Sequence, residues 1–173
     1  RSDAGAYECV GINALGTSEK STVKNVDILY GVYIQTLNNK AINETSTLSI
    51  TCDGESNPPI DDNEVTWTKI NDSTFKQTGK NLTLVNIKRE DDGTYICNIT
   101  KTLLSSDRVS VQVTGTAQVI VDVYFGAKPY PTNFLPDSLG VGEFGKTFLN
   151  ITIYFISNPP PTITWIFQRN ATG

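Results

Sequence analysis

The residues of this chain that could carry chemistry are three cysteines and a few close groups of carboxylates. The thiols belong to Cys9, Cys52 and Cys97, and the carboxylates to Asp91 with Asp92 and to Asp61, Asp62 and Glu64. Histidine is absent, which removes the usual general base, every Ser-His-Asp or Cys-His arrangement and most zinc sites. No glycine-rich phosphate-binding loop occurs either. We therefore expect no enzyme activity and no cofactor.

The acidic cluster Asp61, Asp62 and Glu64 precedes Trp67. Carboxylate oxygens could bind calcium, but the spacing of an EF-hand is absent, and such clusters are more often solvated loops. We interpret it as a loop and expect no metal site. The net charge of −4 and the absence of a Lys or Arg block also argue against a nucleic-acid partner.

Two of the cysteines belong to a longer pattern of residue types. Cys52 is followed by Trp67 and then by a D-x-G-x-Y-x-C motif formed by Asp91, Gly93, Tyr95 and Cys97. This order resembles the core of an immunoglobulin-type sandwich of two β-sheets. In such a core the two cysteines form an inter-sheet disulfide beneath the tryptophan, and the tyrosine hydroxyl caps a corner. The resemblance thus implies a Cys52–Cys97 disulfide.

Internal repeats show that the chain contains more than one such unit. The D-x-G-x-Y-x-C motif also occurs at Asp3, Tyr7 and Cys9, and Trp67 has a counterpart at Trp165. A V-D segment at 26–31 returns at 121–126, and a Ser-Asn-Pro-Pro turn at 56–59 returns at 157–160. These nearly equal periods predict an array of modules of about 100 residues, the size of an immunoglobulin domain.

The predicted fold class is all-β, with tandem immunoglobulin-like sandwiches, one complete and two partial. Residues 1–30 would be the C-terminal part of one domain, residues 31–125 a complete domain, and residues 126–173 the N-terminal part of a third. We expect the partner of Cys9 to lie upstream, which would leave Cys9 as a spare thiol in this chain. Ile153 stands where the third domain would have its first cysteine, so the sequence does not decide whether that domain has a disulfide.

Alternating apolar residues predict the strands of the complete domain. Leu48, Ile50 and Cys52 alternate with polar residues, and Val109, Val111 and Val113 share one face of a later strand. Seven more residues separate Cys97 from its V-D segment than separate Cys9 from the equivalent one. A bulge, a kink or an extra hairpin could accommodate them.

Leu103 and Leu104 follow the predicted Cys97 strand. Adjacent apolar residues on a loop are candidates for contact with a partner. The alternative is that they pack beneath the additional segment, and the sequence does not choose between these two interpretations.

Six N-x-[ST] acceptor sites suggest a secretory compartment. They begin at Asn43, Asn71, Asn81, Asn98, Asn150 and Asn170. Asn81, Asn98 and Asn150 are out of phase with their buried neighbours, so a glycan there would point to solvent. Together with the implied disulfide, these sites favour an oxidising, extracellular environment.

The motifs, the Asn-Pro-Pro turns before each tryptophan and the short V-D linkers resemble tandem immunoglobulin-superfamily cell-adhesion ectodomains. The nephrin, hemicentin and carcinoembryonic-antigen-related families carry similar pieces. The resemblance implies an adhesion or recognition module at the extracellular face of the plasma membrane. It would bind other immunoglobulin-superfamily ectodomains, homophilically or heterophilically. Linkers such as residues 30–33 would hold the modules in a semi-extended rod, and any membrane association would come from a segment outside this chain.

Other uses of the same modules remain open. One is a secreted immune-recognition or matrix protein, and another is the ectodomain of an enzyme-linked receptor. An intracellular array of the muscle type is a further option, which the acceptor sites and the paired cysteines oppose. A downstream transmembrane span would separate the adhesion and receptor interpretations from the secreted one, and a kinase or phosphatase motif beyond it would identify the receptor.

Overall fold

A computed structural model describes residues 1–131 and 151–166. Within these ranges the chain is built of β-strands and turns, with two short 3-10 turns at Asp62–Glu64 and Arg89–Asp91. In this described part, no helix has the length and apolar character needed to cross a membrane. The all-β prediction is confirmed.

The first thirty residues contain four short strands. They are β1 (Gly5–Tyr7), β2 (Ile12–Asn13), β3 (Gly16–Thr17) and β4 (Lys24–Val26). Strand β1 pairs with β4 and β2 pairs with β3, both antiparallel. These residues are solvent-exposed, including the apolar side chains of Tyr7, Ile12, Leu15 and Val26.

The middle of the chain holds the main body of the structure. Its strands are β5 (Tyr30–Ile34), β6 (Lys40–Asn43), β7 (Leu48–Thr51), β8 (Gly54–Asn57), β9 (Val65–Lys69), β10 (Asp72–Thr78), β11 (Asn81–Leu84), β12 (Gly93–Leu104) and β13 (Ser110–Pro129). One further strand, β14 (Phe155–Asn158), follows and pairs with the end of β13.

Two layers of strands form the sandwich. In the first layer the order is β10, β9, β12 and β13, and β6 joins the edge by parallel pairing with β13. In the second layer β11 pairs with β7, and β5 pairs with β8, which continues from β7 after Cys52 and Asp53. Each strand buries alternate residues because successive side chains point to opposite faces of a sheet.

The core lies between these two layers. Its members are buried apolar residues contributed by both layers, namely Leu48, Ile50, Cys52, Ile60, Val65, Trp67, Leu82, Leu84, Ile87, Tyr95, Cys97, Ile99, Val119, Val121 and Val123. Burial of this apolar surface is the main favourable contribution to folding of the middle module.

The seven additional residues lengthen a hairpin. Strands β12 and β13 pair without interruption from Gly93–Val121 to Leu104–Ser110. Of the three alternatives, the bulge and the kink are excluded for this segment, because every residue from Ser110 to Val121, including Gly115 opposite Ile99, pairs in register. A Cβ at Gly115 would lie 2.7 Å from Cγ1 of Val32. Glycine is needed here because β5 crosses close over the hairpin.

Two further expectations are corrected by the strands. Residues 30–33, interpreted as a linker, belong to β5 and pair with β8. Val109 and Val111 were expected on the face of a half-buried strand, but they are 53% and 51% exposed. The hairpin extends past the ends of its neighbours, since β9 pairs with β12 only as far as Ile99, so no facing layer covers these valines.

Candidate functional site

The disulfide joins the two layers at the centre of the sandwich. Cys52 and Cys97 are bonded, with their Cα atoms 6.4 Å apart, and both are buried. Trp67 is fully buried in the same cluster, and its Nε1–H donates to the carbonyl of Lys80 at 3.4 Å. The Cys52–Cys97 disulfide is thus present as predicted.

Tyr95 closes the corner before Cys97. Its hydroxyl donates to the carbonyl oxygen of Asp91 at 2.9 Å. Burial raises the pKa of Tyr95 well above its usual range, and the charges of Asp91, Asp72 and Asp92 raise it further. The phenol therefore stays protonated and keeps donating this bond.

The other members of the motif have backbone roles. The carboxylate of Asp91 accepts the N–H of Lys88 at 2.7 Å, and Asp92 accepts the N–H of Val123 at 2.9 Å. Gly93 has a φ of 137°, a region that residues with a side chain rarely adopt. Both carboxylates are therefore engaged in holding the corner.

The repeat of this motif near the start of the chain makes the same corner. The hydroxyl of Tyr7 donates to the carbonyl of Asp3 at 2.7 Å. Cys9 is a free, exposed thiol. Trp165, the counterpart of Trp67 in the sequence repeat, is 65% exposed, and Ile153, at the position equivalent to Cys52, is half-buried.

The acidic cluster before Trp67 is partly engaged by a lysine. The ammonium of Lys101 donates to both carboxylate oxygens of Glu64, at 2.9 and 2.8 Å, and to the carbonyl of Pro59 at 2.7 Å. Partial burial opposes ionisation of Glu64, but the hydrogen bonds from Lys101 and from the N–H of Asp61, with the charge of Lys101, lower its pKa overall. Within the described ranges, no group of three potential ligands is arranged to bind a metal ion.

Lys101 is a structural residue that our sequence interpretation missed. Its side chain is buried in phase with Tyr95, Cys97 and Ile99 on β12. The sequence could have indicated this role, because Lys101 is in phase with the buried residues of the strand and a lysine on the inward face needs a buried partner. Its partner could not be read from the sequence, since Glu64 lies 37 positions away.

The end of the long hairpin forms an exposed apolar surface, here called the hairpin tip and defined as residues 103–111. Leu103 and Leu104 are the last residues of β12, not loop residues as expected. Leu103 is half-buried opposite Val111, whereas Leu104 is 63% exposed. Val111, 51% exposed, shares a face with Leu103, and Val109 follows at 53% exposure. Leu104 lies opposite Ser110 and points to the other face, so the tip carries exposed apolar side chains on both faces. Exposed apolar side chains of this kind can bind a protein partner by burying area on association.

The turn that presents the hairpin tip is ordered by its own hydrogen bonds. The N–H of Ser105 donates to the carbonyl of Val109 at 3.0 Å, and the N–H of Arg108 donates to the carbonyl of Ser105 at 2.9 Å. The Ser105 hydroxyl also bonds the carboxylate of Asp107 and lowers the pKa of that group. The tip is therefore held in one shape, which reduces the entropy lost on binding.

The acceptor asparagines have different surroundings. Asn43, Asn71 and Asn81 are exposed, and Asn98 is half-buried on β12, whereas Asn150 and Asn170 lie outside the described residues. The carbonyl oxygen of the Asn81 side chain accepts from Thr51 at 2.7 Å, which leaves its amide nitrogen available. Asn98 lines an open groove of about 530 Å³ beside β13, together with Leu37, Thr116 and Gln118.

Comparison with known proteins agrees with this architecture. The model of the immunoglobulin domain matches residues 32–100, which contain both cysteines of the disulfide and Trp67. Residues 32–100 thus form an immunoglobulin domain. Hemicentin-1 of Mus musculus is 27% identical over 177 residues, covering 95% of this chain and 3% of that protein. The basement membrane-specific heparan sulfate proteoglycan core protein of Mus musculus is 26% identical over 172 residues, covering 95% of this chain and 4% of that protein.

A solved structure gives the same result for the fold. The complex of Dpr2 Ig1-Ig2 with DIP-Theta Ig1-Ig3 matches this chain with a TM-score of 0.52 and 21% identity, covering 76% of this chain and 44% of that one. At this identity the match concerns the fold alone. The chain spans only 3–4% of the length of the two curated relatives.

Proposed function

We propose that this chain is a segment of an extracellular adhesion or recognition protein that binds other proteins through the hairpin tip of its complete module. The immunoglobulin domain at residues 32–100 supports protein binding of the adhesion type. The observation that carries the proposal is the exposure of Leu104, Val109 and Val111 at the end of an ordered hairpin. The partner would be another immunoglobulin-superfamily ectodomain or a second copy of this chain.

Three features support the extracellular setting and the tandem arrangement of the proposal. The disulfide requires an oxidising compartment. Asn43, Asn71 and Asn81 present their acceptor side chains to solvent. The two tyrosine corners, at Tyr7 and Tyr95, support a module at 1–30 before the complete module at 31–125, with a third at 126–173. No catalytic role enters this proposal.

Leu104→Asp is the variant that tests the hairpin tip. A charge at an exposed apolar contact must be desolvated on binding, so we expect binding to fall about tenfold or more. Beads coated with the secreted chain would be scored for aggregation with one another and for binding to cell surfaces. Because Leu104 is exposed and outside the core, the melting temperature should change little.

Val85→Asp is the matched control for this experiment. Val85 is also apolar and 71% exposed, but it follows β11 and lies outside the hairpin tip. The same charge there should leave both readouts unchanged. If beads coated with the Leu104→Asp variant aggregate and bind cell surfaces as well as beads coated with the unsubstituted chain, the hairpin tip is not the contact surface.

We expect Asn98 to be glycosylated, which would place a glycan over the groove beside β13 and leave the hairpin tip accessible. Asn98→Gln removes the acceptor nitrogen with little change of shape. When cultured cells secrete the Asn98→Gln variant, its peptide containing residue 98 should lack the mass of one glycan that the same peptide of the unsubstituted protein carries. An unmodified asparagine in the unsubstituted protein would remove this site from the proposal.

A secreted matrix protein is the second candidate. It is favoured by the similarity to one relative, the basement membrane-specific heparan sulfate proteoglycan core protein. Fractionation of cells that express the parent protein distinguishes the two functions. Recovery from the medium and the detergent-insoluble matrix supports the matrix protein, and recovery only in detergent-soluble membranes supports the adhesion receptor.

A further inference from the structure

The two boundaries between modules share a set of contacts that neither the fold nor the proposed function requires. The first boundary lies between β4 and β5, and the second lies within β13. At each, an asparagine of the Ser-Asn-Pro-Pro turn reaches the V-D segment of the preceding module. The equivalent asparagines are Asn57 and Asn158, and the equivalent aspartates are Asp27 and Asp122.

The asparagine at each boundary makes the same two hydrogen bonds. Nδ2 of Asn57 donates to Oδ1 of Asp27 at 2.7 Å and to the carbonyl of Ile28 at 2.9 Å. Nδ2 of Asn158 donates to Oδ1 of Asp122 at 2.5 Å and to the carbonyl of Val123 at 3.0 Å. A primary amide has two N–H donors on one nitrogen, so asparagine can serve both acceptors, whereas aspartate can serve neither when ionised.

An aromatic ring and an arginine complete each boundary. Tyr30 is the register partner of Asn57, and Phe125 is the register partner of Asn158. The guanidinium of Arg1 lies 3.6 Å from the centroid of the Tyr30 ring, and that of Arg89 lies 4.0 Å from the Phe125 ring. Each arginine is two residues before the aspartate that begins a D-x-G-x-Y-x-C motif, so it belongs to the corner of the preceding module.

The backbone at the second boundary leaves no coil between the modules. Strand β13 runs from Ser110 to Pro129 and pairs with β12, then with β6 and finally with β14. At the first boundary only residues 27–29 separate β4 from β5, and two of them are the acceptors of Asn57. Neither connection has the Gly and Ser composition of a flexible linker.

We propose that Asn57 with Asp27, and Asn158 with Asp122, are the locking pairs of a repeated joint that holds successive modules at one fixed orientation. The aromatic residue and the arginine of each boundary pack beside the locking pair. The joint makes the chain a stiff rod in which neighbouring modules keep a constant spacing. It does not depend on whether the hairpin tip binds a partner, because none of its residues belongs to the segment 103–111.

The distance between labels on adjacent modules tests this joint. Cys9 is a free and exposed thiol in the first module, and Lys76→Cys adds a second label on the exposed face of β10. Pulsed electron–electron double resonance of the doubly labelled chain should give one narrow distance distribution. Asn57→Asp places two carboxylates against each other and removes both donors, so the distribution should widen at least twofold.

Two further variants make the result specific. Asn63→Asp adds the same charge six positions from Asn57 in sequence, to an exposed residue, and should leave the distribution narrow. Exchanging the pair, as Asn57→Asp with Asp27→Asn, restores one amide-to-carboxylate bond and should narrow the distribution again. The thermal melting of each sample checks that the middle module is folded.

A broad distribution in the chain with an unaltered joint would overturn the proposal. An unchanged narrow distribution in the Asn57→Asp chain would do the same, since the modules would then be fixed by other contacts. Widening by Asn63→Asp equal to that of Asn57→Asp would show an effect of charge alone and would also reject the joint.

Discussion

Replacing Cys52 and Cys97 together by alanine is expected to lower the free energy of unfolding of the middle module by about 4 kcal/mol. The disulfide closes a loop with a sequence separation of 45 residues, and its loss restores conformational freedom to the unfolded chain. Since domains of this size are stable by only about 5–15 kcal/mol, most of the stability of a marginal module would be lost. The melting temperature should fall by roughly 15 °C or more.

Thermal unfolding followed by circular dichroism measures this change. Cys9→Ser is the matched control, because that thiol is free and exposed and its removal breaks no bond. A double-alanine variant with the same melting temperature as the unsubstituted chain would contradict the stabilising role of the disulfide. A shift caused by Cys9→Ser would indicate that thiol exchange, and not loss of the disulfide, governs melting.

Glu64→Ala is expected to lower the free energy of unfolding by about 3 kcal/mol. The variant leaves the ammonium of Lys101, with a side chain only 5% exposed, without its counter-charge. Lys101→Met should lower the free energy of unfolding by less, because the carboxylate of Glu64 that remains is 21% exposed and can be hydrated. The double variant should be more stable than Glu64→Ala alone, since methionine removes the stranded charge. Denaturant unfolding of the three variants provides the measurement.

The ion pair should also make stability depend on pH in acid. The pKa of Glu64 is lowered in the folded state from its ordinary value of 4.5, so folding favours the ionised form. Its contribution is therefore present above pH 4.5 and is lost as the pH falls through the folded value. Chain carrying Glu64→Ala should lose less stability on acidification than the unsubstituted chain. A Glu64→Ala cost that stays the same at low pH would contradict the pairing with Lys101.

The sequence by itself determined the sandwich, the disulfide and the tyrosine corner at Tyr95. The strands and the corner depend on residue types at fixed short spacings, because alternate residues of a strand share one face and a corner motif is local. The disulfide spans 45 positions, and it was implied by the resemblance of the Cys52, Trp67 and Cys97 order to an immunoglobulin core. The same rule placed Val109 and Val111 on one face but wrongly implied burial. Periodicity shows which residues face together, whereas burial also needs a facing layer.

Only the tertiary structure decided the remaining features of the site. The exposure of Leu104 depends on how far the β12–β13 hairpin extends beyond β9, and the pairing of Lys101 with Glu64 joins strand and turn residues 37 positions apart. The contacts of Asn57 with Asp27 and of Asn158 with Asp122 bridge 30 and 36 positions across module boundaries. Such contacts depend on which strands become neighbours and in which register, and a single sequence leaves that choice to the packing of the whole sandwich.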